Sequence, residues 1–159
     1  MAWEVEHTHF FGHWRNQFNN GDPIILGESN PTSLFGHELE SVSGPIPSWF
    51  ANLTQLTELI LSFNKLQGPF PISILKLEKL ETLNLRSNNL SGIVTLDMFH
   101  KLKYLTRLLL SMNNISFHTK IETNATQNKF KAIGLASCNL GNFPDFLRNQ
   151  DQLEVLELS

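Results

Sequence analysis

From residue 50 onward, apolar residues recur along the chain at steps of three, three, three and then two positions. Three stretches share this pattern, and they run from Phe50 to Leu61, from Ile74 to Leu85 and from Phe99 to Leu110. Steps of three suit a short, tight 3₁₀-like segment, whereas a step of two is typical of a strand with one buried face. Each stretch is therefore predicted to hold a turn-rich segment that leads into one short strand.

The leucine that ends each strand recurs at a nearly fixed interval. Leu61, Leu85, Leu110, Leu135 and Leu158 are separated by 24, 25, 25 and 23 residues. Such a period indicates stacked coils that cannot close a core alone and are stable only against their neighbours. The predicted fold is an α/β-type solenoid, a right-handed superhelix with a parallel concave β-sheet and a convex side rich in turns and 3₁₀ segments.

The period defines two regions. We predict an irregular or disordered leader over residues 1–42 and about four to five repeats over residues 43–159, with the last repeat cut short. Residues 33–42 are alternatively a decayed repeat with Phe35 in the place of a strand leucine. His7, His9 and His13 in the leader could ligate a metal, but they lack a cysteine partner and the spacing of a structural site, so no metal site is predicted.

A polar residue follows each predicted strand. Asn64, Asn88 and Asn113 occupy this position in three repeats, and Cys138 occupies it in the fourth. An asparagine that turns inward can bond backbone groups of adjacent coils through its carbonyl oxygen and both amide protons. Those buried backbone groups would otherwise remain unpaired, at about 1–3 kcal/mol each. We interpret Cys138 as a small structural side chain in the same ladder, and not as a nucleophile.

Strand side chains that point away from the leucines should line the concave face in columns across the coils. Large apolar groups there can anchor a peptide or protein, and arginines can form paired hydrogen bonds with a carboxylate. The alternative is that these side chains only pack along the sheet or contact neighbouring coils. The candidate ligand-binding residues are Glu58, Ile60, Phe63, Asn84, Arg86, Arg107, Leu109 and Met112.

Composition removes several classes of function. The net charge is −3, from 12 basic and 15 acidic residues. The sequence shows no clustered basic face of the kind that would predict a nucleic-acid partner. No apolar run is long enough to span a membrane. The sequence has no phosphate-binding glycine loop, zinc-binding helix motif or nucleophile elbow, so we predict no catalytic residues, no cofactor and no enzyme.

The sequence features that bear on the cellular compartment disagree. The single cysteine excludes an internal disulfide and suits a reducing compartment, and residues 1–7 lack the features of a signal peptide. Four Asn-X-Ser/Thr sequons favour secretion instead. We resolve the conflict by expecting a fragment of a longer secreted or membrane-anchored protein. The predicted glycosylation sites are Asn52, Asn89, Asn114 and Asn124.

The outer half of each repeat carries a more specific motif. Ser43-Gly44-Pro45-Ile46-Pro47, Gly68-Pro69-Phe70-Pro71 and Leu90-Ser91-Gly92-Ile93 follow the pattern L-x-G-x-I-P. This motif resembles the plant extracellular leucine-rich repeat of receptor-like proteins and receptor-like kinases. The cysteine-paired cap and the transmembrane helix that are usual in that family are not visible in this sequence.

The resemblance implies a function. It implies an ectodomain segment that recognises an extracellular peptide or protein ligand in defence or development. It also implies a co-receptor kinase as partner and a parent protein anchored at the plasma membrane. Two alternatives remain open at this point, namely a secreted protein similar to polygalacturonase inhibitors and a truncated product without an autonomous function.

Overall fold

A computed structural model describes residues 24–26, 33–36, 42–118, 128–140 and 143–158. Its strands, in chain order, are β1 (Ile24–Leu26), β2 (Ser33–Gly36), β3 (Ser43–Gly44), β4 (Glu58–Ile60), β5 (Lys65–Pro69), β6 (Thr82–Asn84), β7 (Asn89–Thr95), β8 (Arg107–Leu109), β9 (Asn114–His118), β10 (Ala132–Gly134) and β11 (Val155–Glu157). Four 3₁₀ segments complete the described elements: η1 (Ser48–Asn52), η2 (Ile72–Lys76), η3 (Leu96–Lys101) and η4 (Asp145–Asn149).

The larger of two sheets has the strand order β1–β2–β4–β6–β8–β10–β11. From β2 onward every pairing is parallel, and only β1 is antiparallel to its neighbour. We number the coils 1 to 5 by their strands β4, β6, β8, β10 and β11. The surface formed by the outward side chains of these strands and of the corner residues after them is called the concave face. The predicted solenoid with one short parallel strand per coil is confirmed.

The core is the row of apolar residues that the spacing predicts. Leu59, Leu61, Leu83 and Leu85 are fully buried, as is Phe50 in η1. Burying one such side chain contributes roughly 1.5–3 kcal/mol, and the gain is shared between adjacent coils. Contacts between aromatic edges and faces continue the stacking on the side of the 3₁₀ segments. They join Phe70 to Phe99 and Phe130 to Phe146, with ring centroids 6.0 and 6.3 Å apart.

A second sheet, which the spacing did not predict, has the strand order β3–β5–β7–β9. It is also parallel, and β7 and β9 pair over five residues, from Ser91–Asn114 to Thr95–His118. Coils 1, 2 and 3 therefore each contribute an extended segment directly after the corner, where turns alone were expected. Leu90 and Val94 are the buried residues of β7, but they lie four positions apart with the exposed Gly92 between them, so β7 lacks the period-two pattern by which a strand is predicted.

The corner between the two sheets repeats with the same backbone geometry. Phe63, Ser87, Met112 and Ser137 all have positive φ angles, between 54° and 59°. The next residue in each coil is a member of the ladder of Asn64, Asn88, Asn113 and Cys138. A residue in the left-handed region turns the chain sharply, and the following side chain then points into the coil.

The ladder asparagines bond backbone groups of two coils at once. The Asn88 Oδ1 atom accepts from the Leu66 N–H at 3.0 Å, and its Nδ2 donates to the carbonyls of Leu61 and Leu85 at 2.8 and 3.0 Å. Asn113 repeats the arrangement one coil later, with Leu90 as the donor. Cys138 donates a weaker bond to the Leu110 carbonyl, with its sulfur 3.4 Å away.

The division between a leader (1–42) and repeats (43–159) stays a prediction, because most of the leader lies outside the described residues. Within the leader, however, the backbone of Ser33–Gly36 is a strand. It pairs in parallel with β4, with Ser33 opposite Glu58. The concave sheet thus begins before residue 43, in the stretch that the alternative reading treated as a decayed repeat.

Candidate binding face

The concave face consists of columns of side chains, because every strand pairs in register with the next. One column contains Ile60, Asn84, Leu109, Gly134 and Glu157. A second column contains Glu58, Thr82, Arg107, Ala132 and Val155. Adjacent members are separated by about 4.8 Å, the spacing of strands in a sheet.

The apolar candidates divide into two pairs. Phe63 and Met112 are each 51% exposed, whereas Ile60 and Leu109 are half-buried. We expected all four to be exposed, and the difference follows from position. Ile60 and Leu109 lie within the sheet between neighbouring side chains, while Phe63 and Met112 lie at the corner, where the chain turns away. The exposed apolar surface of this face is therefore concentrated at the corner.

Arg86 is not free to meet a ligand in this structure. Its Nη1 atom lies 2.7 Å from the Glu157 Oε1 atom, and the two residues are 71 positions apart in sequence. The guanidinium carbon also lies 5.9 Å from the centre of the Phe63 ring, within the range of a cation–π contact. The Arg86 Nε atom is buried and has no hydrogen-bond partner.

Glu157 is held at its second oxygen as well. The Ser111 hydroxyl donates to Oε2 at 3.0 Å, and the Ala136 N–H donates to the Ser111 oxygen at 3.2 Å. Gly134 lies next to Glu157 in the same column of the concave face. A Cβ atom at Gly134 would lie 2.8 Å from the Ser111 oxygen and 3.4 Å from Glu157 Oε2. The absence of a side chain at position 134 thus makes room for the carboxylate.

The remaining polar candidates are not gathered around Arg86. Arg107 is exposed and joins no ion pair among the residues that the structure describes. Glu58 accepts a hydrogen bond from the Ser33 hydroxyl at 2.9 Å, two coils away from Arg107. Asn84 accepts at its side-chain oxygen from the Arg86 N–H at 3.2 Å. The two arginines do not form a joint clamp.

From the sequence, Ser111, Gly134 and Glu157 are all expected in columns of the concave face, but none of the three was selected as a candidate. The one available signal was the glycine itself, since other coils carry larger side chains in that column. A contact across three coils cannot be inferred from a repeat of 24 or 25 residues, because the repeat specifies only neighbours. The concave face therefore has a polar centre that the sequence pattern did not reveal.

Cys138 is buried in the ladder and is not part of the polar centre of the concave face. Burial raises the pKa of its thiol from 9.0 to about 11, because desolvation penalises the thiolate. A thiol of this kind is a poor nucleophile, since the thiolate is the reactive form.

The other predicted sites lie elsewhere. Asn52, Asn89 and Asn114 are exposed, the first in η1 and the others at the start of β7 and β9. Asn124 and the histidines at positions 7, 9 and 13 lie outside the described residues. In the part of the chain that the structure describes, no three His, Cys, Asp or Glu side chains are grouped to hold a metal ion, and no helix could cross a bilayer.

A recess of about 400 Å³ lies on the opposite side of the coils, between η2 and η3. Ile72, Leu75 and Met98 form its apolar lining, and Lys76 and Lys101 are among its charged residues. Nothing in the structure shows what covers it.

The chain is similar to proteins of known fold. Residues 46–90 match the leucine rich repeat family model, and no curated protein sequence matches the chain significantly. The ectodomain of the receptor kinase SOBIR1 from Arabidopsis thaliana is 27% identical with a TM-score of 0.67, over 80% of this chain and 70% of that one.

Two complexes give similar matches. The Arabidopsis receptor kinase HAESA, solved with the peptide hormone IDA and the co-receptor SERK1, is 29% identical with a TM-score of 0.65, over 77% of this chain. PEPR1, solved with AtPEP1, is 25% identical with a TM-score of 0.64, over 74% of this chain. The present chain spans only 21% of HAESA and 16% of PEPR1. The chain is a leucine-rich-repeat solenoid that is similar to segments of plant receptor kinase ectodomains.

Proposed function

We propose that the chain is the ligand-binding segment of a plant receptor-like protein and that its concave face holds an extracellular peptide or protein segment. The observation that supports this most is the pair of exposed apolar side chains, Phe63 and Met112, at the corner of a face that also carries the polar groups Glu58, Asn84 and Arg107. Apolar anchors within a polar surround are the usual arrangement of a protein-recognition surface.

The spacing of the two anchors suits one apolar side chain of a partner. Phe63 and Met112 lie two coils apart, about 10 Å by the spacing of strands. The position between them is Ser87, whose hydroxyl donates to the Met112 sulfur at 3.3 Å. A small residue between two large ones leaves a notch, and an apolar side chain inserted there would contact both Phe63 and Met112.

The similar structures support a partner of this class. HAESA was solved with a peptide hormone and a co-receptor, and PEPR1 with AtPEP1. By analogy, the parent protein of this chain acts at the outer side of the plasma membrane, together with a co-receptor kinase, in defence or development. The exposed sequon residues Asn52, Asn89 and Asn114 do not lie on the concave face, so glycans there would leave it open.

The test is a selection of peptides from a random library against the purified chain, followed by variants of the two anchors. Phe63→Ser and Met112→Ser are suitable because serine already occupies the same positive-φ position at Ser87 and Ser137. Each variant is expected to weaken binding of the selected peptides at least tenfold, as for an anchor residue of about 1.4 kcal/mol or more.

Ile93→Ala is the matched control. Ile93 is a large apolar side chain, 65% exposed, on the second sheet. The Ile93→Ala variant should bind the selected peptides as tightly as the wild type does. Peptides that lose affinity for Ile93→Ala, and keep it for both serine variants, would contradict the proposal.

A further inference from the structure

We propose that Arg86 and Ser111 form a carboxylate-binding site at the centre of the concave face and that Glu157 occupies it as a built-in competitor. The inference rests on the proposed function, since it names the chemistry of a group that the same face would bind. A carboxylate of the partner takes the place of Glu157 and releases its side chain.

The contact spans an unusual length of the solenoid. Arg86 belongs to coil 2 and Glu157 to coil 5, so three strand spacings of about 4.8 Å separate their backbones along the sheet, about 14 Å in all. Neither side chain alone covers that distance. Both must extend along the face toward each other to reach the observed separation of 2.7 Å. The surface between them is thereby covered by the two side chains.

The path of Glu157 is open because of Gly134. The nearest atoms to a Cβ at that position are the Ser111 oxygen at 2.8 Å and the Leu109 Cδ2 at 3.1 Å, followed by Glu157 Oε2 at 3.4 Å. Any other residue at position 134 would displace the serine, the leucine or the carboxylate. In the same column Asn84 and Leu109 carry full side chains, so the gap is particular to coil 4.

The donors are arranged for a carboxylate and not for a single charge. Arg86 Nη1 donates to one oxygen of Glu157 and the Ser111 hydroxyl to the other. Ser111 is fully buried, and because its oxygen accepts from the Ala136 N–H, its own proton is oriented outward to the carboxylate. The buried and unpaired Arg86 Nε shows that Glu157 does not use the full donor set of the guanidinium.

The competitor can be displaced readily. Both side chains of the ion pair are 32% exposed. Ion pairs with this much contact with water contribute little, because solvent screens the charges and two long side chains must be held in one geometry. Glu157 should therefore weaken the binding of an external carboxylate by only a modest factor, which we expect to be roughly three- to tenfold.

The test is a titration of the full chain with sodium acetate, against sodium chloride at equal ionic strength, while the Arg86 Nε–H signal is followed by NMR. Glu157→Gln removes the charge and keeps the size of the side chain. It should show a saturable shift of the Arg86 signal, with a half-saturating acetate concentration roughly three- to tenfold below that of the wild type.

Two further variants complete the comparison. Glu154→Gln is the control, because Glu154 is exposed beside the same strand and joins no ion pair among the described residues. It should behave as the wild type. Gly134→Ala should instead raise the half-saturating acetate concentration, since its methyl group would lie 2.8 Å from the Ser111 oxygen, in the space that any carboxylate at this site needs.

Two outcomes overturn the proposal. If acetate shifts the Arg86 signal equally in all variants, Glu157 does not compete. If Glu157→Gln shows no saturable shift, the site does not bind carboxylates. Either result would refute only the competitor and leave the proposed function intact, because the peptide selection with the Phe63 and Met112 variants tests that function independently.

Discussion

At the scale of single residues, the ladder asparagines have the most clearly defined role. The Asn113 side chain is 7% exposed, accepts from the Leu90 N–H at 3.0 Å and donates to the carbonyls of Leu85 and Leu110, both at 2.9 Å. One amide thus joins coils 2 and 3 through three backbone groups. Spacing alone predicted this role, because a polar residue at a fixed place after each strand needs buried partners.

Asn113→Ala should lower the free energy of unfolding by about 2–4 kcal/mol, because several buried backbone groups lose their partner and no water can replace it. Urea unfolding of the variant measures the loss. Asn114→Ala is the control: Asn114 is the next residue, is exposed, and should change stability by less than about 0.5 kcal/mol. Equal effects of the two variants would refute the role of the ladder.

Cys138 gives the ladder a pH dependence. The pKa of its thiol is raised from 9.0 to about 11 in the folded chain. Its contribution to stability is fully present below pH 9, and it is lost as the pH rises toward 11, because the unfolded chain releases the proton first. The expected loss is about 2–3 kcal/mol. The test compares the pH dependence of unfolding of the wild type with that of Cys138→Ser, which lacks this decline.

Identical pH profiles of the wild type and Cys138→Ser above pH 9 would contradict the assignment. Only the difference between the two proteins reports on the thiol, because every other ionisable group is common to both.

At the scale of the elements, glycines with positive φ angles lie within the second strand of coils 1 and 2. Gly92 in β7 has a φ of 97°, and no atom lies within 4 Å of where its Cβ would be. The requirement for glycine is thus conformational and not a matter of space. Gly92→Ala should therefore destabilise the chain by about 1–2 kcal/mol through backbone strain alone.

Ile93→Ala is again the appropriate control, because it changes the adjacent, exposed residue of the same strand. Its free energy of unfolding should match that of the wild type within about 0.5 kcal/mol. If Gly92→Ala is as stable as the wild type in urea unfolding, the positive φ does not constrain this position.

The elements also show where prediction from sequence ends. The step of two at Leu59–Leu61 and Leu83–Leu85 gave the concave strands, since buried periodicity depends only on local sequence. The second sheet was missed because the buried residues of β7, Leu90 and Val94, lie four positions apart, so no period of two is visible there. β2 was foreseen only in the alternative of a decayed repeat over residues 33–42, because no leucine period precedes residue 43.

At the scale of the whole molecule, stacking converts a local repeat into a surface. The register of the strands aligns outward side chains into columns, and this much followed from the period. The concentration of exposed apolar surface at Phe63 and Met112 depends on the corner geometry, and the Arg86–Glu157 pair depends on a gap at Gly134. Phe63 and Met112 were predicted to be exposed, together with Ile60 and Leu109, but the restriction of this exposure to the corner was not predicted. The Arg86–Glu157 pair was not predicted either, because it joins coils that are three strand spacings apart.

The central claim is that the concave face, with its exposed anchors, is the surface that binds a partner. The chain contains only three methionines, and two of them, Met98 and Met112, lie on opposite sides of the coils. The most direct measurement is methyl NMR of the methionine-labelled chain during titration with a selected peptide. We expect the Met112 methyl signal to shift and saturate while the Met98 methyl signal stays in place. A saturable shift of Met98 with Met112 unchanged would place the partner on the recess between η2 and η3 and contradict the account.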